Sequence, residues 1–192
     1  MKATDKPYEA VIAELDGVLR AFFRTREGSF EAAVEVIARS LGSGGKILLF
    51  GNGGSAAQAQ HFAAEMVNKL ARDRRALPAL ALTTDTSCLT AVGNDAGFDR
   101  VFSRQIEALG RKGDVAIALT TSGSSANVIE GLKAARTMGL VTVALTGGGG
   151  GAVAPLADHL LDAPSRSTPR IQEAHLVILH LLAEALEARL AR

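Results

Sequence analysis

Tryptophan is absent from this 192-residue chain, aromatic residues make up only 4% of it, and there is a single cysteine, Cys88. So few rings exclude a core of stacked aromatics. Hydrophobic residues still reach 47%, so the core has to come from Ala, Val, Leu and Ile, as in helix-covered parallel sheets. One cysteine cannot form an intramolecular disulfide, which removes the class of small, disulfide-stapled secreted domains. No run approaches the roughly 20 apolar residues of a membrane span. The opening MKATDKPYEAVIAELDG is broken by charges before a signal-like apolar stretch can form. An excess of one charge is missing too: 21 Lys plus Arg against 20 Asp plus Glu leave a formal net charge of +1, so nothing electrostatic favours a nucleic-acid partner. These absences predict a cytoplasmic, non-membrane protein with a small local ligand, organised as one domain over 1–192.

What is present is a repeated pattern. KILLF, PALALTT, DVAIALTTSG, LVTVALTGG and DHLLDAP are short apolar runs, and small or polar residues close each one. Helix-like segments at about 54–71, 99–110, 125–138 and 169–191 accompany them. Buried strands alternating with helices predict right-handed crossovers, hence a three-layer α/β/α sandwich on a five-stranded parallel sheet. Ahead of it, apolar positions at three- and four-residue spacing over 8–24 and 29–42, including Val11, Leu15, Val18 and Phe22, predict two amphipathic helices. Lacking loop chemistry of their own, these helices, within 1–44, are the expected oligomer surface.

In such sheets ligands gather at the carboxyl ends of the strands, which singles out GNGGS at 51–55, TTDTS at 83–87, TTSGSS at 120–125 and TGGGGG at 146–151. Gly51, Gly53 and Ala56 fit the dinucleotide spacing. The acid that would hold the ribose, about 20 residues on at the end of the second strand, is missing: Asp73 precedes that strand and Asp85 lies too far along. No Lys follows the glycines, so a Walker phosphate loop fails as well. What remains is a set of converging N–H groups at a helix start, with which Asn52, Gly53, Gly54 and Ser55 can line an anion or a hydroxylated ligand. TTSGSS sets five hydroxyls, Thr120, Thr121, Ser122, Ser124 and Ser125, around Gly123. Capping a helix needs one such hydroxyl, so five predict a phosphate monoester. The five glycines at 147–151 are expected to be a flexible, solvent-exposed turn without a role.

His61 and Glu65 are four apart and share a helix face. Gln172 and His180 are eight apart on the last helix, within about 80° of one another. If the two helices pack side by side or meet between subunits, two imidazoles, a carboxylate and an amide oxygen converge in a shell suited to zinc. Spacing alone does not choose His180 over His175, which is closer to Gln172.

Taken in order along the chain, GNGGSAAQAQHFAAEM, AVGNDAGFDRVFSRQIEALG, TTSGSSANVI and RIQEAHLVILH resemble the phosphoheptose isomerases of the sugar isomerase (SIS) domain superfamily, a similarity that spans nearly its whole length. The resemblance implies a flavodoxin-like SIS sandwich and the interconversion of sedoheptulose 7-phosphate with glycero-manno-heptose 7-phosphate, on the route to the heptose of bacterial surface polysaccharides. It also implies a homotetramer with its sites at subunit contacts. On that basis one zinc ion per subunit is held by His61, Glu65, Gln172 and His180. The sugar is contacted by Asn52, Gly53, Gly54, Ser55, Asn94 and Asp95, and the substrate, chiefly its phosphate, by Thr120, Thr121, Ser122 and Ser125. Glu65 becomes the base and His180 its acid/base partner, and the double duty of Glu65 as ligand and base is a tension. The family's Ser-Thr-Ser-Gly-x-Ser is Thr-Thr-Ser-Gly-Ser-Ser here, which keeps the hydroxyl. A non-enzymatic relative that binds the bacterial replication initiator is the rival; it lacks the base at the Glu65 position and the histidine at the His180 position.

Overall fold

The five apolar runs form one parallel sheet: β1 (Ile47–Gly51), β2 (Ala79–Ala81), β3 (Val115–Thr120), β4 (Val141–Thr146) and β5 (His159–Asp162). The computed structural model describes residues 6–190. The first five residues of the opening segment and Ala191, where the last helix is expected to end, lie outside the described residues. Strand order is β2-β1-β3-β4-β5, in a register that sets Leu49 beside Ile117 and Leu145 beside Leu161. Every residue of β1 and β3 is buried. These strands are covered on both faces, which is why they read as unbroken apolar runs and do not alternate with polar residues.

Six α-helices cover the sheet: α1 (Pro7–Gly42), α2 (Gly54–Val67), α3 (Thr86–Ala96), α4 (Ser103–Leu109), α5 (Ala126–Thr137) and α6 (Thr168–Leu190). Ile47, Leu49, Ile117 and Leu145 face Phe22 and Ile37 of α1, Phe62 and Met66 of α2, and Ile178 and Leu182 of α6. Leu48, Phe50, Ala118 and Ala144 face Ile106 of α4 and Leu132 of α5. The result is the expected three-layer α/β/α sandwich. Where a neighbouring side chain fills the space, a glycine provides it: a Cβ on Gly131 of α5 would stand 2.8 Å from the Phe50 ring.

Two features differ from the sequence reading. The two helices expected over 8–24 and 29–42 are one helix of 36 residues. The polar segment between them holds no proline, and Gly28 alone costs about 1 kcal/mol against alanine. The buried positions also run through it in phase, from Val18 and Phe22 to Phe30, Ala33, Val34, Ile37 and Leu41, so packing carries the helix across. The second difference is α3, which is absent from the helices expected from sequence; the sequence singles out only its first two residues, in the loop at 83–87. None of the residues of α3 is fully buried, and the half-buried Leu89 and Val92 that rest on the core make too short a stripe to mark a helix; its clearest local signal is Asp85, whose side chain accepts the N–H of Cys88 as an N-cap.

In this strand order the chain leaves β1 toward β2 on one side and leaves β3 toward β4 on the other. The crevice beyond the carboxyl ends of β1 and β3 is therefore the topological switch point, where a doubly wound sheet takes its ligand.

Candidate functional site

The loops after β1 and β3 meet in that crevice. Asn52, Ser55, Leu119, Thr120, Thr121, Ser122, Ser125 and Gln172 line one pocket, onto which the N-termini of α2 and α5 open. Gly53, at φ +55°, takes the backbone conformation that lets the chain turn from β1 into α2. Within the second loop the Thr120 hydroxyl accepts the Gly123 N–H at 3.2 Å and the Ser122 hydroxyl accepts the Ser124 hydroxyl at 2.9 Å. The two loops are tied together by Asn52 and Asn127, whose amides exchange two hydrogen bonds of 2.8 and 2.9 Å. This pairing fixes which way the Asn52 amide faces. Asn127 was missed from sequence; its one clue is its place just after TTSGSS, at the start of a helix.

A second cluster lies further along α2, because α2 and α6 do pack side by side. Gln58 donates to the Gln172 carbonyl at 2.6 Å, and one to two turns on, the Nε2 atoms of His61 and His180 stand 2.8 Å apart. Glu65 Oε1 is 3.6 Å from His61 Nε2, with the imidazole side chain 43% and the carboxylate 19% exposed. At 2.8 Å one ring donates its Nε2–H to the other. The same two nitrogens, with the Glu65 carboxylate beside them, are donors that a zinc ion would take. Two imidazoles and a carboxylate fit that ion as a donor set. Among the described residues no three His, Cys, Asp or Glu side chains stand as a finished metal cluster. Gln172 sits two turns back on α6, in the pocket with the loops. Its amide nitrogen is 2.5 Å from where a Cβ on Gly54 would be, so a side chain at 54 would displace the Gln172 amide.

Asn94 and Asp95 are exposed at the end of α3, where the Asn94 amide donates to Asp95 at 2.7 Å. They line no part of the pocket above. The choice between the two histidines of α6 is now clear: His180 meets His61, whereas His175 turns into the core, fully buried, its Nε2 3.0 Å from the Thr146 carbonyl. Nδ1 of His175 has no partner. Burial lowers the His175 pKa to about 4, the hydrogen bond to Thr146 opposing it. Above pH 6.5 the ring is neutral folded or unfolded; as pH falls from 6.5 to about 4 the unfolded chain takes up a proton that the native ring refuses, so stability is lost across that window. Between those limits the wild type is expected to lose about 3 kcal/mol more than a His175→Gln variant in chemical unfolding. Equal pH slopes would refute this.

The family description of the SIS domain matches residues 11–147. The phosphoheptose isomerase of Geobacter sulfurreducens is 51% identical over 173 residues, which is 90% of this chain and 92% of that protein. The chain belongs to the phosphoheptose isomerase family. Among solved structures, the phosphoheptose isomerase of Neisseria gonorrhoeae superposes with a TM-score of 0.89 at 45% identity, covering 95% of this chain and 98% of that one. That of Francisella tularensis gives 0.90 at 34% identity, covering 98% and 100%. The likeness to other phosphoheptose isomerases thus extends past residue 147 to α6, where Gln172 and His180 lie.

Proposed function

We propose that this chain interconverts sedoheptulose 7-phosphate and D-glycero-D-manno-heptose 7-phosphate, supplying the heptose of bacterial surface polysaccharides. One observation carries the reading: the same end of one sheet holds a hydroxyl-lined loop suited to a phosphate and, beside it, a carboxylate next to two imidazoles. A ketose becomes an aldose when C1 gives up a proton, an enediol spans C1 and C2, and C2 takes a proton back. No atom is gained or lost. Glu65 takes and returns the carbon-bound proton, and His180 moves the proton between the two oxygens. Asn52, Gly53, Gly54 and Ser55 hold the sugar, with N–H groups at the head of α2 turned to its developing oxyanion. Thr120, Thr121, Ser122 and Ser125 hold the phosphate. Asn94 and Asp95 are assigned to the sugar at a site that a second subunit closes, a role left open to them by their exposure at the end of α3.

Zinc is the proposed ion, one per subunit, with His61, Glu65, His180 and Gln172 as ligands; when bound it polarises the carbonyl and hydroxyl of the sugar. Chelation is expected to lower turnover while the circular dichroism of the protein stays unchanged. Undiminished rates in a sample shown metal-free by mass spectrometry would overturn a catalytic ion. A homotetramer is the proposed assembly, supported by Tyr8, Val11 and Ile12, exposed at three- and four-residue spacing on the first turns of α1; a single-chain mass in light scattering would refute it. Residues 1–192 are read as one SIS unit, since β5 and α6, beyond residue 147, complete the same sheet and layer. Among the described residues no helix is long and apolar enough to cross a membrane. A cytoplasmic location is the corresponding proposal, which cell fractionation checks.

The test of the activity is direct. Purified protein incubated with sedoheptulose 7-phosphate should form the heptose aldose phosphate, followed by NMR, and no conversion would overturn the reading. The initiator-binding alternative is not favoured: Glu65 and His180 are both in place, and the relative at 51% identity is a phosphoheptose isomerase.

A further inference from the structure

A loop that presents N–H and hydroxyl groups to an anion has to turn its carbonyls the other way and find donors for them there. Behind residues 120–125 those donors come from the glycine tract and the 3-10 turn that follows it. Gly147 N–H donates to the Thr121 carbonyl at 3.1 Å, and Val153 N–H donates to the Gly123 carbonyl at 3.1 Å. The two backbones approach so closely that side chains are excluded from both. A Cβ on Gly147 would stand 2.5 Å from the Thr121 oxygen and 2.6 Å from Ile171 Cδ1; one on Gly151 would stand 2.7 Å from the Ser122 oxygen and 2.9 Å from that of Gly123. From the other side, a Cβ on Gly123 would strike the Gly150 carbonyl. The tract is anchored in turn, Gly148 N–H on the Ser165 carbonyl at 3.0 Å and Gly149 N–H on Asp162 at 3.2 Å, while Arg26 of α1 holds the same carboxylate at 2.5 Å. The tract is therefore no free turn, contrary to the sequence expectation.

We infer that Gly147 and Gly151 are positioning residues for the phosphate loop: by their lack of side chains they set where the peptide groups of Thr121 to Gly123 stand, and through them the affinity for the substrate's phosphate. This rests on the isomerase reading above. Gly149 supplies a matched control. Its φ of +85° lies, like the +56° of Gly151, in the left-handed region, yet a Cβ there would meet nothing within 4 Å. Alanine at either position strains the backbone; only at 151 does it also push the loop.

Gly151→Ala is expected to raise KM for sedoheptulose 7-phosphate about tenfold and to weaken inhibition by inorganic phosphate by a similar factor, with kcat changed less than about threefold. Gly149→Ala should leave all three within about twofold, though its left-handed strain lowers the melting temperature as well. Gly147→Ala, at an ordinary φ, repeats the first result without left-handed strain and serves if Gly151→Ala does not fold. Identical kinetics in the 149 and 151 variants, or an unchanged KM in Gly151→Ala and Gly147→Ala, would overturn the inference. A wild type that turns over no sugar phosphate would instead refute the isomerase reading. The loop is then read by thermal protection with inorganic phosphate: protection lost in Gly151→Ala and kept in Gly149→Ala supports the inference, and equal protection in both overturns it.

Discussion

A Glu65→Gln variant is expected to lose turnover by about 100- to 10,000-fold while still binding the sugar phosphate. The amide keeps the shape of the carboxylate but cannot take a proton from carbon. Binding is spared because the pocket is built elsewhere, by the loops after β1 and β3 and by Gln172, and its α2 residue, Ser55, is nearly three turns from Glu65. KM should therefore stay within about threefold, since an interaction made only in the transition state has been removed. The variant also separates the two duties that compete for Glu65. An amide oxygen remains able to ligate zinc, so the metal content of the purified variant is measured beside its rate. Lost turnover with metal retained assigns Glu65 as base. Loss of both makes ligation its main contribution, and a rate within about tenfold of wild type would remove it from the chemistry.

The sheet was legible because a parallel strand covered on both faces leaves a largely apolar run, and all five runs here are bounded by glycine, proline or polar residues. The pocket was legible for a related reason: once the strands are placed, topology dictates which loops meet. What stayed hidden depends on packing between segments far apart in sequence. Periodicity places His175 and His180 on one helix but does not say which faces the sheet, and the answer, His175 against Thr146, needs the position of β4. Five consecutive glycines suggest slack, and only the approach of a second backbone shows that glycine is there for closeness. The same holds for ARDRRAL and EALEARL, far apart in sequence, where Arg74 and Glu187 form an ion pair whose side chains expose no surface.

That pair carries the largest stability effect to be expected from a single substitution. The side chains of Arg74 and Glu187 expose no surface and lie 3.3 Å apart. Burial alone would raise the Glu187 pKa, but the N–H groups of Leu70, Ala71 and Arg72, at 2.8, 3.0 and 2.9 Å, and the Arg74 guanidinium outweigh it and hold the carboxyl below its ordinary range. Arg74 in turn donates to the carbonyls of Glu65 and Met66 at 2.7 and 2.9 Å and so closes the last turn of α2. Glu187→Ala leaves a buried cation and three buried N–H groups without their acceptor, and is expected to cost about 3–5 kcal/mol in urea unfolding. Adding Arg74→Met removes the orphaned charge but neither restores an acceptor to the three N–H groups nor closes α2, so the double variant should recover less than about half of the loss. In the wild type this contribution is present above the ordinary carboxyl pKa of 4.5 and is lost as pH falls through the depressed native value. A loss below about 1 kcal/mol would refute the account. The pair also joins the ends of the two helices that carry Glu65 and His180, so a folded Glu187 variant should show slower turnover before it shows weaker substrate binding.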